Sequence, residues 1–150
     1  MKIKFLFVII VVVLFFVTGC GPQVLQLKCN QGKSRSCAHL GYRYERGYEV
    51  DQSQNIANQL YKKACEQGHK ISCDDLGDIY ANGRNVDKNI NVARQWYEVG
   101  CRKSLSQSCI KLGHLYHKGK GVRKDLDKAR ALYLKACRLG DYRVCDQLVN

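Results

Sequence analysis

Eight cysteines mark the chain at regular intervals, and no other feature restricts its fold as strongly. They stand at Cys29, Cys37, Cys65, Cys73, Cys101, Cys109, Cys137 and Cys145, so gaps of 8 and 28 residues alternate throughout and the period is 36. A fixed period of this size is the signature of a repeat architecture. Written in rows from Cys37, Cys73 and Cys109, the chain gives three full units, 37–72, 73–108 and 109–144. Part of a unit precedes them (Leu25, Cys29, Gly32) and a stub follows (Cys145, Leu148).

Other columns repeat with the cysteines. Leu40, Leu76 and Leu112 align, as do Gly41, Gly77 and Gly113, then Tyr44, Tyr80 and Tyr116. Gly47, Gly83 and Gly119 follow, then Val50, Val86 and Val122. Ala57, Ala93 and Ala129 form another column, and Tyr61, Tyr97 and Tyr133 the next. Each row predicts two helices. Helix A runs from about Cys37, Cys73 or Cys109 to just before the glycine at 47, 83 or 119, with Ser36, Ser72 and Ser108 expected as N-caps and Ser72 with Asp75 as a capping box. Helix B runs from about Gln54, Ile90 or Leu126 to Glu66, Arg102 or Arg138, with Ser53, Asn89 and Asp125 as N-caps. In its middle copy Val92, Ala93, Trp96, Tyr97 and Gly100 form one apolar stripe.

Gly68 and Gly140 suit a left-handed helix end, and Ser104 breaks that column. Glycine within helix A costs about 1 kcal/mol relative to alanine. Its recurrence at 41, 77 and 113 predicts close helix contact, expected against Ala57, Ala93 and Ala129. The tyrosines at 44, 80, 116 and at 61, 97, 133 are expected to fill the core between repeats.

In each C-x7-C pair the first cysteine ends a helix B and the second starts the next helix A. A short turn lets them face each other across a hairpin. The expected bridges are Cys29–Cys37, Cys65–Cys73, Cys101–Cys109 and Cys137–Cys145. In the chain-entropy view each closed loop of roughly nine residues contributes about 2–3 kcal/mol. Zinc sites prefer shorter C-x2–4-C spacings, so no metal is expected, and no cofactor.

The ninth cysteine, Cys20, has a different setting. Lys2 and Lys4 precede an unbroken apolar run from Phe5 to Val17. As a helix this run spans roughly 20 Å, short of a ~30 Å hydrocarbon core. A basic start, an apolar stretch and small residues behind it match an export signal, expected over 1–19. Val17-Thr18-Gly19-Cys20 resembles the bacterial lipobox, which makes Cys20 the expected lipidation site and 20–28 an anchor segment leading into the partial repeat. Acyl chains there would tether the domain 29–150 to a membrane. Gly21 after the cysteine favours outer-membrane sorting by resemblance to enteric lipoproteins. Without lipidation the product is secreted.

The third row carries the fullest pattern: Leu112-Gly113, Tyr116, Gly119-Lys120-Gly121-Val122, Asp125, Ala129, Tyr133, Lys135-Ala136 and Gly140. It resembles the Sel-1-like repeat family, relatives of the tetratricopeptide repeats. The 36-residue period with a C-x7-C pair resembles, more narrowly, the Helicobacter cysteine-rich proteins. The resemblance covers 29–150 and implies an all-α, right-handed superhelix of 36-residue hairpins stapled by disulfides, with a concave face. Tyr48-Glu49-Val50 and Arg84-Asn85-Val86 depart from the Gly-x-Gly-Val pattern of that loop.

Members of the narrower family are described as penicillin-binding proteins or weak β-lactamases. A serine β-lactamase is signalled by Ser-x-x-Lys with Ser-Asp-Asn and Lys-Thr-Gly. Ser108-Cys109-Ile110-Lys111 matches the first string; the other two do not occur. Ser108 falls in the expected cap column with Ser36 and Ser72, and the lysine column reads His39, Asp75, Lys111. His114 and His117 share a helix face without a third ligand. No catalytic, cofactor or metal residues are therefore assigned.

Charge is uneven. Without residues 1–19 the chain has 23 basic and 13 acidic residues, and row three alone has 10 and 3. Lys118, Lys120, Arg123, Lys124, Lys128 and Arg130 are the expected anion-binding set, since a basic patch steers anions toward itself. Hydrophobic residues make up 45% of the chain and there is one proline, which excludes a disordered chain. The expected function is binding of another macromolecule through an extended repeat surface, either a protein or a peptidoglycan-related component. Nucleic acid is not an expected partner outside the cytoplasm. The alternative is a hydrolase acting on β-lactams or muropeptides.

Overall fold

The computed structural model describes residues 21–145. Cys20, the expected export signal over 1–19 and Leu148 lie outside the described residues. The elements run α1 (Pro22–Asn30), α2 (Ser34–Arg46), α3 (Gln54–Glu66), α4 (Lys70–Asn82), α5 (Ile90–Arg102), α6 (Ser106–Lys118) and α7 (Leu126–Arg138), closed by a 3-10 turn at Tyr142–Val144. Among the described residues every regular element is helical, and no helix is long and apolar enough to cross a membrane. The helices pack in chain order: α2 on α3, α4 on α5 and α6 on α7 form the hairpins, and each hairpin contacts the next. This is an α/α solenoid.

The helix B copies begin where their caps place them. Ser53 accepts a hydrogen bond from the Ile56 amide, Asn89 from the Val92 amide and Asp125 from the Lys128 amide. The helix A copies end at Gly47, Gly83 and Gly119, each left-handed with φ of 73°, 70° and 67°. A side chain is disfavoured there, so glycine recurs.

The helix A starts correct the sequence expectation. They lie at Ser34, Lys70 and Ser106, so Ser36, Ser72 and Ser108 are third residues of their helices, not caps. The flanking residues are Lys33, His69 and Leu105, none with a side-chain cap bond. One left-handed residue, Gly32, Gly68 or Ser104, reverses the chain so abruptly that only three residues separate the preceding helix from helix A. Ser104 holds this conformation without being glycine, at φ 61°. There is accordingly no capping box between Ser72 and Asp75; Ser72 is wholly buried and bonds the His69 ring.

Disulfides join Cys29–Cys37, Cys65–Cys73, Cys101–Cys109 and Cys137–Cys145, always the end of one repeat to the start of the next. Such bonds persist in oxidising, extracytoplasmic compartments.

The core runs along the hairpins. Tyr61, Tyr97, Tyr133 and Tyr116 are buried, while Tyr44 and Tyr80 are half-buried. The helix A glycines all meet tyrosine rings, and only at Gly41 is the expected alanine, Ala57, also among the nearest contacts. A Cβ on Gly77 would run into the Tyr97 ring and one on Gly113 into the Tyr133 ring; on Gly41 it would touch Tyr61 at 3.1 Å and the Ala57 carbonyl at 3.3 Å. The glycine column therefore exists to seat an aromatic ring against helix backbone.

Candidate functional site

Ser108 and Lys111 meet at a boundary between repeats. Ser108 on α6 is fully buried and donates a 2.8 Å hydrogen bond to Asp74 on α4. Lys111 Nζ bonds the other Asp74 oxygen and both Asp78 oxygens, each at 2.7 Å. Tyr97 on α5 donates to Asp78 at 2.8 Å and presents its ring to the Lys111 ammonium, 5.5 Å from the centroid. Burial works against charge on Lys111, but the hydrogen bonds it donates to Asp74 and Asp78 outweigh it and hold its pKa above the usual lysine value. A lysine kept cationic by two carboxylates has no lone pair to take a proton from Ser108. The Ser-x-x-Lys string is thus an inter-repeat tie.

Asp75 lies beside this tie and makes no hydrogen bond among the described residues. Burial first, then the neighbouring Asp74, Asp78 and Glu45, push its carboxyl up to about 6. Glu45 itself pairs with Arg84 at 3.1 Å and accepts from the Tyr61 hydroxyl at 2.7 Å. The tyrosine hydroxyl finds a different partner in each row: Glu45, Asp78, then His114, whose Nδ1 is 3.0 Å from Tyr133. Burial, with Lys118 and His117 nearby, holds His114 below the ordinary histidine pKa.

Along helix A, residues spaced i, i+4, i+7 and i+11 share one stripe. The stripe reads Arg35, His39, Tyr42 and Arg46 on α2, then Ile71, Asp75, Asp78 and Asn82 on α4, then Gln107, Lys111, His114 and Lys118 on α6. No column keeps its residue across all three rows. On α2 the stripe lines a cleft of about 530 Å3, closed by Ala38, Glu45, Tyr61, His69, Asp75 and Arg84.

Arg123, Lys124 and Lys128 border a shallow cleft of about 650 Å3 with Arg94, Asp125 and Asp127. Lys118, Lys120 and Arg130 do not line it. Lys128 Nζ is committed to the Tyr116 hydroxyl at 2.8 Å.

A second groove escaped sequence reasoning. Asn55, Asn58, Gln59 and Lys62 of α3 face Leu76 and Tyr80 of α4, Asn85 and Val86 of the following loop, and Trp96 of α5. Its amides cross-link: Gln54 to Asn58, Gln59 to Asn55 and Asn85 to Gln54. The clustering of Asn and Gln early in α3 was the available signal. Among the described residues no group of three or more His, Cys, Asp or Glu could hold a metal ion.

A family model described as Sel1 repeat matches residues 34–69, 71–105 and 106–141. Among solved structures the chain is similar to a Sel1 repeat protein from Oxalobacter formigenes, at 30% identity and TM-score 0.75 over 83% of this chain and 93% of that one. It is also similar to Helicobacter pylori cysteine rich protein B, at 31% identity and TM-score 0.64 over 84% and 90%. A protective antigen of uropathogenic Escherichia coli displaying an SLR fold matches at 27% identity and TM-score 0.63, over 85% of this chain and 35% of that one. No curated protein matches the chain. Three consecutive matches lie over three consecutive disulfide-linked hairpins, and the chain belongs to the Sel1 repeat family.

Proposed function

We propose that this protein is an extracytoplasmic binding scaffold, tethered by lipid at Cys20, that holds another macromolecule against the concave face its helix A copies line. One observation carries the reading. The columns that build the fold repeat from row to row, whereas the helix A stripe changes at every row and leaves Tyr42 and Ile71 exposed at 46% and 53%. A fixed scaffold with a variable, partly apolar face is what recognition requires. The partner is a protein or a peptidoglycan-related component of the envelope. The hydrolase alternative finds little support, since Ser108 is buried and Lys111 is neutralised by carboxylates.

The test is a pull-down from the envelope with the oxidised full chain. A partner should be retained by the native protein and lost with Tyr42→Ala plus Ile71→Ala. Equal retention by both proteins would remove the helix A face from the account. Mass spectrometry of the N-terminus should find an acylated Cys20, and an unmodified Cys20 would mean secretion instead.

A further inference from the structure

In the α2 cleft, basic side chains from α2 itself gather without pairing directly to a carboxylate. Arg35 and His39 make no hydrogen bond or ion pair among the described residues, and Arg46 has only the face of Tyr42, 5.7 Å from the ring centroid. His69 enters from the α3–α4 turn with its Nδ1 2.9 Å from the Ser72 hydroxyl. Burial first, then Arg35 and His39 beside it, hold the His69 imidazole below the ordinary histidine pKa. The fold does not need this cluster. The same columns read Ile71, Asp75 and Asn82 in row two, and the His69 column reads Lys33 and Leu105 in its neighbours. Basic groups that the cleft's own carboxylates, Glu45 and Asp75, leave unpaired mark a place where an external anion is stabilised.

Resting on the binding role above, we propose that the cleft between α2 and α4 is a binding site for an acidic peptide segment, strengthened by acid, in which Arg35, His39, His69 and Arg46 receive its side-chain carboxylates. The cleft also contains Glu45 and Asp75, and Glu45 is engaged by Arg84. Singly charged carboxylates spaced along a peptide can settle on the basic groups and avoid Asp75, whereas a compact divalent phosphate would meet it. Ala38 and the exposed Tyr42 ring offer apolar contact to the intervening methylenes. Acidification acts on both sides of the balance. The His69 imidazole, which burial keeps neutral at higher pH, gains charge as pH falls, and Asp75 loses its charge below about 6.

The molecule contains its own reporters. It has four histidines: His39 and His69 in this cleft, His114 and His117 on row three. Proton NMR of the oxidised full chain in detergent, titrated with a tetraglutamate peptide, should shift the His39 and His69 ring signals and raise the apparent pKa of His69. Affinity should rise about tenfold from about pH 7.5 to 5.5, a change of about 1.4 kcal/mol. Asp75→Asn should tighten binding at the higher pH and flatten that dependence, and Arg35→Gln with Arg46→Gln should weaken it about tenfold. Shifts confined to His114 and His117 would overturn the proposal, as would an equal response to inorganic phosphate. If the envelope partner is still captured while the peptide fails, the carboxylate site is wrong and the scaffold reading stands. If peptide shifts appear but no partner is captured, the reverse holds.

Discussion

Lys111 reaches back from the third repeat to Asp78 in the second, 2.7 Å from both carboxylate oxygens. The contact occupies the position at which a Ser-x-x-Lys enzyme would keep its base. The ammonium is spent on holding two repeats in register, and Ser108 is buried beneath it on Asp74.

Removing the cation exposes that role. Lys111→Met should leave Asp74 and Asp78 facing each other without compensation and cost about 2 kcal/mol, below the range for fully buried pairs because Lys111 is partly exposed. Ser108→Ala should cost about 1–2 kcal/mol by removing the hydroxyl that Asp74 needs. Urea titration of the oxidised protein measures both. Neither variant should change nitrocefin turnover, which should stay at background; turnover abolished by Ser108→Ala would restore the hydrolase.

Asp75 gives the stability a pH signature. Its folded-state pKa, about 6, lies above the ordinary 3.8. The native state therefore binds this proton more tightly than the unfolded chain does. Stability falls as pH rises through the window between these values, and the penalty is fully present above it. Asp75→Asn should raise stability by about 1–2 kcal/mol at neutral pH, after allowance for solvent screening, and change little near pH 4. Thermal melts of both proteins across that window check the sign.

Gly77→Ala tests the ring seats. Alanine gains about 1 kcal/mol of helix propensity, but its methyl collides with the Tyr97 ring and overpacking costs about 1–3 kcal/mol. A net loss is expected at Gly77 and Gly113. At Gly41, where the nearest ring atoms are 3.1 Å from the added carbon, the loss should be smaller. Denaturant midpoints of the three single variants give the order.

Legibility in the sequence varied with how local the cause was. The helix B bounds follow from caps within one turn, Ser53, Asn89 and Asp125, and these appear directly in the residue order. The helix A starts did not, because serine is a good cap and nothing in the local string shows that Ser72 and Ser108 point into the core. Ser108 bonds an aspartate 34 residues away. The tyrosine–glycine seats were half legible: both columns were visible, but which one faces the glycine depends on how the hairpin packs. The α2 cleft was hidden among charges of an almost neutral row. Arg35 and His39 share one turn of α2, but His69 and Arg84 are at least 30 residues further on and join them only through the packing of the hairpins.

Loss of one staple tests the solenoid as a cooperative unit. Cys101→Ser with Cys109→Ser should cost about 2–3 kcal/mol, the loop-closure contribution of one bridge. Non-reducing peptide mapping of the native protein should return the four adjacent pairs.

The scaffold reading is tested most directly by site-specific photo-cross-linking in the envelope. One probe replaces Tyr42 on the helix A stripe, and another replaces Gln95, exposed on α5. A discrete adduct from position 42 that is absent from position 95 is the expected result. Adducts from position 95 alone, or none from position 42, would contradict a partner seated on the helix A face.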